Sequence, residues 1–394
     1  MNTKRILFFA ETVTLAHVAR CIKIANELAR CKNYSIMLAA DSRFDQMLGL
    51  IKFKRIDLYS ISCTEFKQRL QKGMPIYNVN ELTRYVNEEL EIIDEVKPDF
   101  VIGDFRLTLA ISCRLRKVPF ATITNAYWSP YANIEYPVPE MILTKILGVR
   151  FAQKIFDFVR PFVFKIHTNA FNKVCKKFGH SGLVKDLREM YTDADFTFYA
   201  DLDSFIPMKH FPSSHLFIGP VLWSAPVPLP DWWDRVPAEN PIIFITLGSS
   251  GDSSVLPLLL QTLSAMQVTV ICATVDDFPQ EMGARSIFLS KYLPADVCVK
   301  KADVVICNGG SPMVYQSLIE NKPLIGIPSN LDQFLMMSLV EKLGHGVLIR
   351  PSQVSSEKIM SAVNRTLSNK NRPEVSEDRL FDARRISELI DSVT

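Results

Sequence analysis

The chain has 394 residues, of which 48 % are hydrophobic and 22 % are charged. This length is typical of two domains, and this composition lets each domain bury its own core, so a disordered chain is excluded. The 45 lysines and arginines nearly balance the 42 acidic residues, and the net charge of +3 is too small to indicate a nucleic-acid-binding protein.

The N-terminal apolar run does not have the form of a targeting segment. It follows Lys4 and Arg5 and ends at Glu11, so it is too short for the apolar region of a signal peptide and suits a buried strand. The sequence has no run of about 18 apolar residues, and we therefore expect no membrane-spanning helix. The eight cysteines are scattered without a CxxC pair, which indicates reduced thiols in a cytoplasmic protein and no metal site.

Strand-length apolar runs alternate with longer amphipathic segments through most of the first half of the chain. The helix predicted at 17–31 carries Val18, Cys21, Ile22 and Ala25 at helical spacing. This alternation predicts a parallel sheet with helices on both faces. We predict strands at 5–10, 34–40, 100–103, 120–124, 196–199 and 215–218, and helices at 17–31 and 81–96.

Residues 141–180 interrupt this alternation with a helical, basic and phenylalanine-rich stretch. The stretch contains eight lysines and arginines, seven phenylalanines and a single acidic residue, Asp157. Such a composition suits an anionic membrane surface or an amphipathic lipid. It equally suits a pair of packed helices whose charges are solvated.

A second alternating block follows a proline-rich segment without periodicity at 221–241, which we predict to be a linker. The predicted fold class is α/β, with two doubly wound, Rossmann-like domains at 1–220 and 242–375 that face a central cleft. A helix within 376–394 can return to the first domain. Because ligands bind at the carboxyl ends of parallel strands, the cleft is the expected site. In the second block we predict strands at 242–247, 269–273, 286–289, 304–307 and 323–327, and helices at 256–266, 295–301, 313–320, 332–343 and 378–389.

Two glycine-rich turns in the second block follow predicted strands. The turn at 248–251 reads GSSG, which suits either an anion site or a simple turn. The turn at 308–311 reads NGGS and leads directly into a predicted helix. Glycines before a helix N-terminus allow free N–H groups and the helix dipole to bind a phosphate. Ser311 can also serve as an N-cap, which does not exclude the phosphate.

Asp332 and Gln333 follow the last predicted strand of this block after a short loop. A carboxylate and an amide side by side at a strand end can form hydrogen bonds with adjacent hydroxyls of a sugar. Asp332 can equally cap the next helix, and the residues alone leave both interpretations open.

The segment from Asn308 to Gly346 resembles the C-terminal signature of the family-one glycosyltransferases and of the related lipid-linked muramyl-peptide transferases, which share the GT-B fold. That signature runs HGG, serine or threonine, glutamate, then P…DQ and a GxG turn. This chain reads NGGSPMVYQSLIENKPLIGIPSNLDQFLMMSLVEKLGHG, with YLP at 292–294 and GPVLW at 219–223 upstream. The resemblance implies a hexosyltransferase whose second domain binds a nucleotide diphosphate sugar, UDP- or dTDP-linked, and whose first domain binds the acceptor.

The resemblance also implies roles for individual residues. Three residues depart from the signature. Asn308 stands in place of the histidine, Gln316 in place of the ribose-binding glutamate, and Met313 in place of the serine or threonine. Asn308 can still donate to a phosphate oxygen and Gln316 can still bond a hydroxyl, both without charge. The other implied donor residues are Gly309, Gly310 and Ser311 for the diphosphate, Tyr292 and Leu293 for the base, Asp332 and Gln333 for the sugar, and Gly248, Ser249 and Ser250 near the phosphates and the acceptor.

His17 stands where the family has a histidine that serves as general base, with Ala16 in place of the usual glycine. A histidine at a helix N-terminus favours the neutral form, which can accept a proton near physiological pH. Such a base needs a carboxylate to fix its tautomer, and Asp104, after a predicted strand, is the expected partner. Glu11 is a competing partner, and Asp104 can instead pair with Arg106 or cap a helix.

The implied reaction is a displacement at the anomeric carbon of the sugar, with inversion of its configuration. No metal or further cofactor is expected. The acceptor is a small molecule or a lipid-like molecule, and 141–180 offers a peripheral membrane contact to a cytoplasmic protein. Two alternatives are a non-catalytic GT-B subunit that binds a nucleotide sugar or a partner, and an epimerase or hydrolase of the same fold.

Overall fold

The structure is a computed structural model in which residues 3–31, 34–248, 250–274, 286–369, 373 and 380–394 are described. The chain forms two compact units. The first comprises Met1–Glu135, Asp157–Val221 and Arg379–Thr394, and the second comprises Tyr136–Phe156 and Leu222–Asp378. Residues 136–156, which we expected in the first domain, and most of the expected linker therefore group with the second unit.

The first unit is built on a sheet that has seven parallel strands within the described residues. These strands are β1 (Arg5–Ala10), β2 (Ser35–Ala39), β3 (Lys54–Ile56), β4 (Phe100–Asp104), β5 (Phe120–Thr124), β6 (Phe196–Tyr199) and β7 (His215–Phe217). Their order is β3-β2-β1-β4-β5-β6-β7, so the direction of winding reverses between β1 and β4. In open α/β sheets, ligands bind at the carboxyl ends of the strands beside such a reversal.

Helices cover this sheet because their apolar residues recur on one face. In α1, for example, Val18, Cys21, Ile22, Ala25 and Leu28 are all buried. The helices up to residue 191 are α1 (Leu15–Cys31), α2 (Asp45–Leu48), α3 (Cys63–Gln71), α4 (Val79–Val96), α5 (Leu109–Arg116), α6 (Ile142–His167), α7 (Asn169–Lys177) and α8 (Leu187–Tyr191). The backbone of α6 is interrupted at Gly148, whose φ is 73°.

The second unit repeats this architecture with six parallel strands among its described residues. They are β8 (Ile242–Thr246), β9 (Thr269–Ala273), β10 (Ile287–Ser290), β11 (Val304–Cys307), β12 (Leu324–Gly326) and β13 (Gly346–Leu348), in the order β10-β9-β8-β11-β12-β13. The reversal lies between β8 and β11, whose carboxyl ends lead into the two predicted turns. The helices are α9 (Leu256–Ser264), α10 (Ala295–Lys301), α11 (Ser311–Ile319), α12 (Leu331–Lys342) and α13 (Ser356–Ser368).

The last helix, α14 (Ala383–Val393), belongs to the first unit and packs beside α1. Its Asp391 accepts hydrogen bonds from Lys4 Nζ and from the Tyr34 hydroxyl, each at 3.1 Å. The amphipathic pattern of α14 buries Ile386 and Ile390 completely, which fixes the helix against the domain.

No helix among the described residues has both the length and the apolar character that are needed to cross a bilayer.

Candidate functional site

The first candidate site lies at the reversal of the first sheet. His17 is the third residue of α1, which follows β1, and Asp104 is the last residue of β4. The two strands pair in parallel, with Ala10 opposite Asp104. The loop after β1 therefore brings the imidazole to the carboxyl end of β4.

His17 and Asp104 form a direct hydrogen bond. The distance between His17 Nδ1 and Asp104 Oδ1 is 2.7 Å, and the carboxylate is fully buried. With Nδ1–H donated to the carboxylate, Nε2 keeps the lone pair that a general base requires. The imidazole side chain is 16 % exposed, so it is accessible from one side only.

Phe105 fixes the plane of this imidazole. The two rings are stacked, with centroids 4.9 Å apart and an angle of 6° between planes. Phe105 has a φ of 55°, which is uncommon for a residue with a large side chain and directs its ring onto His17. Such strained backbone is concentrated at functional sites.

Arg20 is the site residue that sequence reasoning missed. Its Nε and Nη2 atoms bind the two oxygens of Asp104, each at 2.7 Å, while its Nη1 donates to Asn125 Oδ1 at 3.2 Å. Asn125 in turn donates to Asp201 at 2.8 Å. The available signal was an arginine three residues, about one helical turn, after His17.

The charges around Asp104 keep it ionised. Burial alone would raise its pKa, but Arg20 and His17 together lower the pKa below its ordinary value. A carboxylate that remains charged beside His17 can stabilise the imidazolium that forms when the base accepts a proton.

We expect this ion pair to give the protein a distinct acid sensitivity. Because the pKa of Asp104 is lower in the folded state, its ionisation stabilises the fold above its ordinary pKa of 3.8, and that stabilisation is lost as the pH falls through the folded value. The stability difference between the wild type and Asp104→Asn should therefore be constant near neutral pH and shrink below about pH 4. Urea unfolding of both proteins across this range measures it, and a difference that grew in acid would contradict the assignment.

Glu11, the competing partner for His17, has a different role in the structure. Its carboxylate accepts from the Tyr85 hydroxyl at 2.8 Å and from Arg106 Nη1 at 2.9 Å. Arg106 therefore pairs with Glu11, and not with Asp104 as one alternative had it. Burial raises the pKa of Glu11 against the opposing effect of Arg106.

Arg106 is the centre of a fully buried cluster. Its Nε donates to Glu89 at 2.6 Å, its Nη1 donates to the carbonyl oxygen of Tyr59 at 2.8 Å, and its guanidinium lies 3.5 Å from the centroid of the Tyr85 ring. Glu89 also accepts from the hydroxyls of Thr108 and Ser112. The cluster holds the segment after β4, which includes Phe105, against α4 and α5.

A small cavity borders Phe105 on the same unit. It has a volume of about 20 Å³, room for one water molecule, and the hydroxyl of Tyr77 in its wall has no hydrogen-bond partner within the described part of the chain. Its lining residues are Ile76, Tyr77, Leu82, Phe105, Leu107, His167, Ala170, Phe171, Leu187, Met190 and Tyr191.

A second candidate site, within the second unit, is the turn between β11 and α11. Gly309 has a φ of 83°, and Gly310 is the N-cap of α11, whose first two residues are Ser311 and Pro312. A side chain at Gly310 would meet only Asn308 Oδ1, at 3.3 Å. The backbone at Gly310 is therefore uncrowded, as the close approach of a phosphate would require.

Asn308 supports this turn from within. Its Oδ1 accepts from Gly310 N at 3.1 Å, and its Nδ2 donates to Ser250 Oγ at 3.4 Å. Gly248, with a φ of 59°, allows the close approach, because a Cβ there would lie 3.3 Å from Asn308 Nδ2. The two predicted turns therefore meet through Asn308 and Ser250. Ser249 lies outside the described residues.

Gln333 joins the same network. It is 2 % exposed, its Nε2 donates to Ser250 Oγ at 3.1 Å, and its Oε1 accepts from Ser329 N at 2.8 Å. These bonds occupy the amide, so contact between Gln333 and a sugar stays a prediction. Asp332 is half-buried in the first turn of α12, but the N-cap is Asn330, whose side chain accepts from Gln333 N.

The remaining predicted donor residues are spread along the carboxyl edge and the helices of this sheet. Tyr292 follows β10 and is 39 % exposed, whereas its neighbour Leu293 is 7 % exposed. Gln316 is buried in α11. An exposed aromatic ring after a strand suits stacking with a base, and the roles of these three residues stay predictions.

We expect Gly309→Ala to disturb the turn before α11, the predicted donor site, for two separate reasons. The substitution places an ordinary side chain at a φ of 83°, and its Cβ would lie 2.4 Å from Met337 Cγ. Gly344→Ala is a matched control in the same unit, since Gly344 has a φ of 79° with no atom within 4 Å of its Cβ position. Both variants should lose about 1–2 kcal/mol through the backbone.

Only Gly309→Ala should also lose affinity for nucleotide diphosphates, by about tenfold or more, because the clash displaces the turn that is predicted to bind them. Thermal unfolding and calorimetric titration measure both effects. Equal nucleotide affinity in the two variants would remove this turn from the donor site.

The comparisons with known proteins agree with this geometry. A family model described as "Glycosyltransferase family 28 C-terminal domain" matches residues 242–390. The PGL/p-HBAD biosynthesis rhamnosyltransferase of Mycobacterium bovis (strain BCG) is 39 % identical over 365 residues, which cover 93 % of this chain and 81 % of that protein. A PGL/p-HBAD biosynthesis glycosyltransferase of Mycobacterium tuberculosis is 38 % identical, with coverage of 93 % and 85 %.

Among solved structures, the glycotransferase of kitacinnamycin is similar with a TM-score of 0.69 and 15 % sequence identity, covering 100 % of this chain and 95 % of that chain. At this identity the likeness shows the fold, which is GT-B with two parallel-sheet, Rossmann-like domains. The chain belongs to the family-one GT-B glycosyltransferases. The predicted fold class, family and enzyme class are confirmed.

Proposed function

We propose that this glycosyltransferase inverts the configuration of the transferred sugar, with His17 as general base and a UDP- or dTDP-linked sugar as donor. The observation that carries the proposal is the bond from His17 Nδ1 to the buried carboxylate of Asp104, which leaves Nε2 to accept a proton. General bases of this kind contribute about 10²–10⁴-fold to rate.

The proposed reaction is a single displacement. The acceptor oxygen forms a bond to the anomeric carbon while the bond from that carbon to the diphosphate oxygen breaks. The acceptor proton moves to His17 Nε2, and the electron pair of the broken bond leaves with the nucleoside diphosphate. The N–H groups at the start of α11 stabilise the charge on that leaving group.

The relatives support a more specific substrate class. The relatives in Mycobacterium are named for PGL/p-HBAD biosynthesis, and the one from Mycobacterium bovis is named a rhamnosyltransferase. We therefore place the acceptor of this protein in the same class of glycolipid-related molecules, and rhamnose among the first sugars to test.

A two-step experiment tests the proposal. Purified protein is first screened by thermal shift against UDP, dTDP and their sugars, including dTDP-rhamnose, because a ligand at a hundredfold excess over its Kd stabilises by about 2.7 kcal/mol. The best donor is then incubated with acceptors from the PGL/p-HBAD route, and glycosylated product is detected by mass spectrometry. Binding of donor without any product from these acceptors would favour the non-catalytic alternative.

A further inference from the structure

The second half of α6 presents an apolar face to solvent. Phe158, Phe162 and Ile166 follow one another at four-residue spacing, which places them on the same side of the helix. Their exposed fractions are 75 %, 61 % and 54 %. The opposite side of the helix holds Phe164, which is 4 % exposed. The helix therefore already has a buried face, and this apolar stripe is additional to it.

The stripe is continuous at the level of side chains. The rings of Phe158 and Phe162 are 6.1 Å apart, and Val159, beside them, is 40 % exposed. Single exposed apolar residues are ordinary, but a contiguous row of large ones marks an interaction surface.

Basic residues accompany the stripe in the same unit. Lys165 lies within it, and Lys173, Lys176 and Lys177 are exposed on α7, which follows directly. Asp157 is the sole acidic residue between 157 and 180. The segment thus combines large apolar side chains with a strong excess of positive charge.

We propose that this face of α6, with α7, docks the protein on an anionic lipid bilayer. Apolar side chains insert at the boundary between headgroups and acyl chains, while lysines bind the anionic headgroups. A second copy of the chain is a poorer occupant, because it would bring the same lysines against one another. The proposal goes beyond sugar transfer and does not depend on it, and it uses the first unit alone.

Vesicle co-sedimentation tests the proposal with the full chain. The wild type should bind vesicles of phosphatidylglycerol and phosphatidylcholine at low salt, and binding to pure phosphatidylcholine should be weak. Phe158→Ser/Phe162→Ser should lower the partition constant by about tenfold or more, because most of the inserted area is removed. Lys173→Gln/Lys176→Gln/Lys177→Gln should remove the preference for the anionic lipid.

Leu50→Ser is the matched control, since Leu50 is 88 % exposed in the same unit and lies outside α6 and α7. It should bind vesicles like the wild type, and all variants should unfold at similar temperatures. Should the phenylalanine variant misfold, the lysine variant still decides the question. Absence of binding by the wild type, or equal binding by all variants, overturns the proposal. So does a dimer in light scattering that the phenylalanine variant alone abolishes, which would assign the face to a second copy.

Discussion

Replacing His17 by alanine should lower kcat for sugar transfer by about 10²–10⁴-fold, the usual contribution of a general base. The acceptor hydroxyl would have to react without transferring its proton to Nε2, the atom that the bond to Asp104 leaves available. Steady-state kinetics with saturating donor and acceptor measure the loss.

Donor affinity should be unaffected in this variant, because the turn at Asn308–Ser311, which we propose to bind the donor, belongs to the second unit. His210→Ala is the control for loss of an imidazole, since His210 is exposed in the first unit and far in sequence from His17 and Asp104. Transfer at the wild-type rate by His17→Ala would exclude His17 as the base, whatever its geometry.

The second large effect is expected on stability. Arg106→Met should destabilise the first unit by about 3–5 kcal/mol, because it leaves the buried carboxylates of Glu11 and Glu89 without their cation. Both carboxyls already have a pKa that burial raises. Without Arg106 they should take up protons on folding, so the variant should lose further stability as the pH rises. Chemical unfolding at several pH values measures both effects.

Arg116→Met provides the comparison for this experiment. Arg116 also pairs with a carboxylate, that of Asp94, but the two side chains are 37 % and 53 % exposed. Water solvates the charge that remains, so little change in stability is expected. If the two variants lost the same stability, burial of the Arg106 cluster would not be the cause.

Much of the candidate site in the first unit could be predicted because strand ends converge. A histidine after β1 and an aspartate after β4 meet wherever two neighbouring parallel strands end. Arg20 could not be predicted in the same way, because an arginine on an amphipathic helix is ordinarily solvated. Its burial depends on Asp104 and Asn125, which lie 84 and 105 residues away in sequence.

The candidate site in the second unit shows a different limit of sequence-based prediction. The position of the turn before α11 could be predicted from its glycines, because a glycine-rich turn is determined by the local sequence. The hydrogen-bond partners of Asn308 and Gln333 could not be predicted, because an amide side chain can form hydrogen bonds with a ligand or with the protein equally well. Here Ser250 and Ser329, brought close by the fold, occupy them.

Elements were missed where they are short, or where they are amphipathic and largely polar. The outer strands β3 and β13 have three residues each and are not fully buried, so they lack a clear apolar run. Helix α13 was not predicted. It buries only one narrow face, with Ile359, Ala362 and Val363.

The most direct test of the proposed mechanism is the anomeric configuration of the product. With a donor of known configuration, proton NMR of the glycoside formed during the first turnovers reports whether the anomeric carbon has been inverted. A single displacement by an acceptor that His17 deprotonates predicts the opposite anomer. A product that retains the donor configuration would contradict it, because retention requires a second displacement or another geometry of attack.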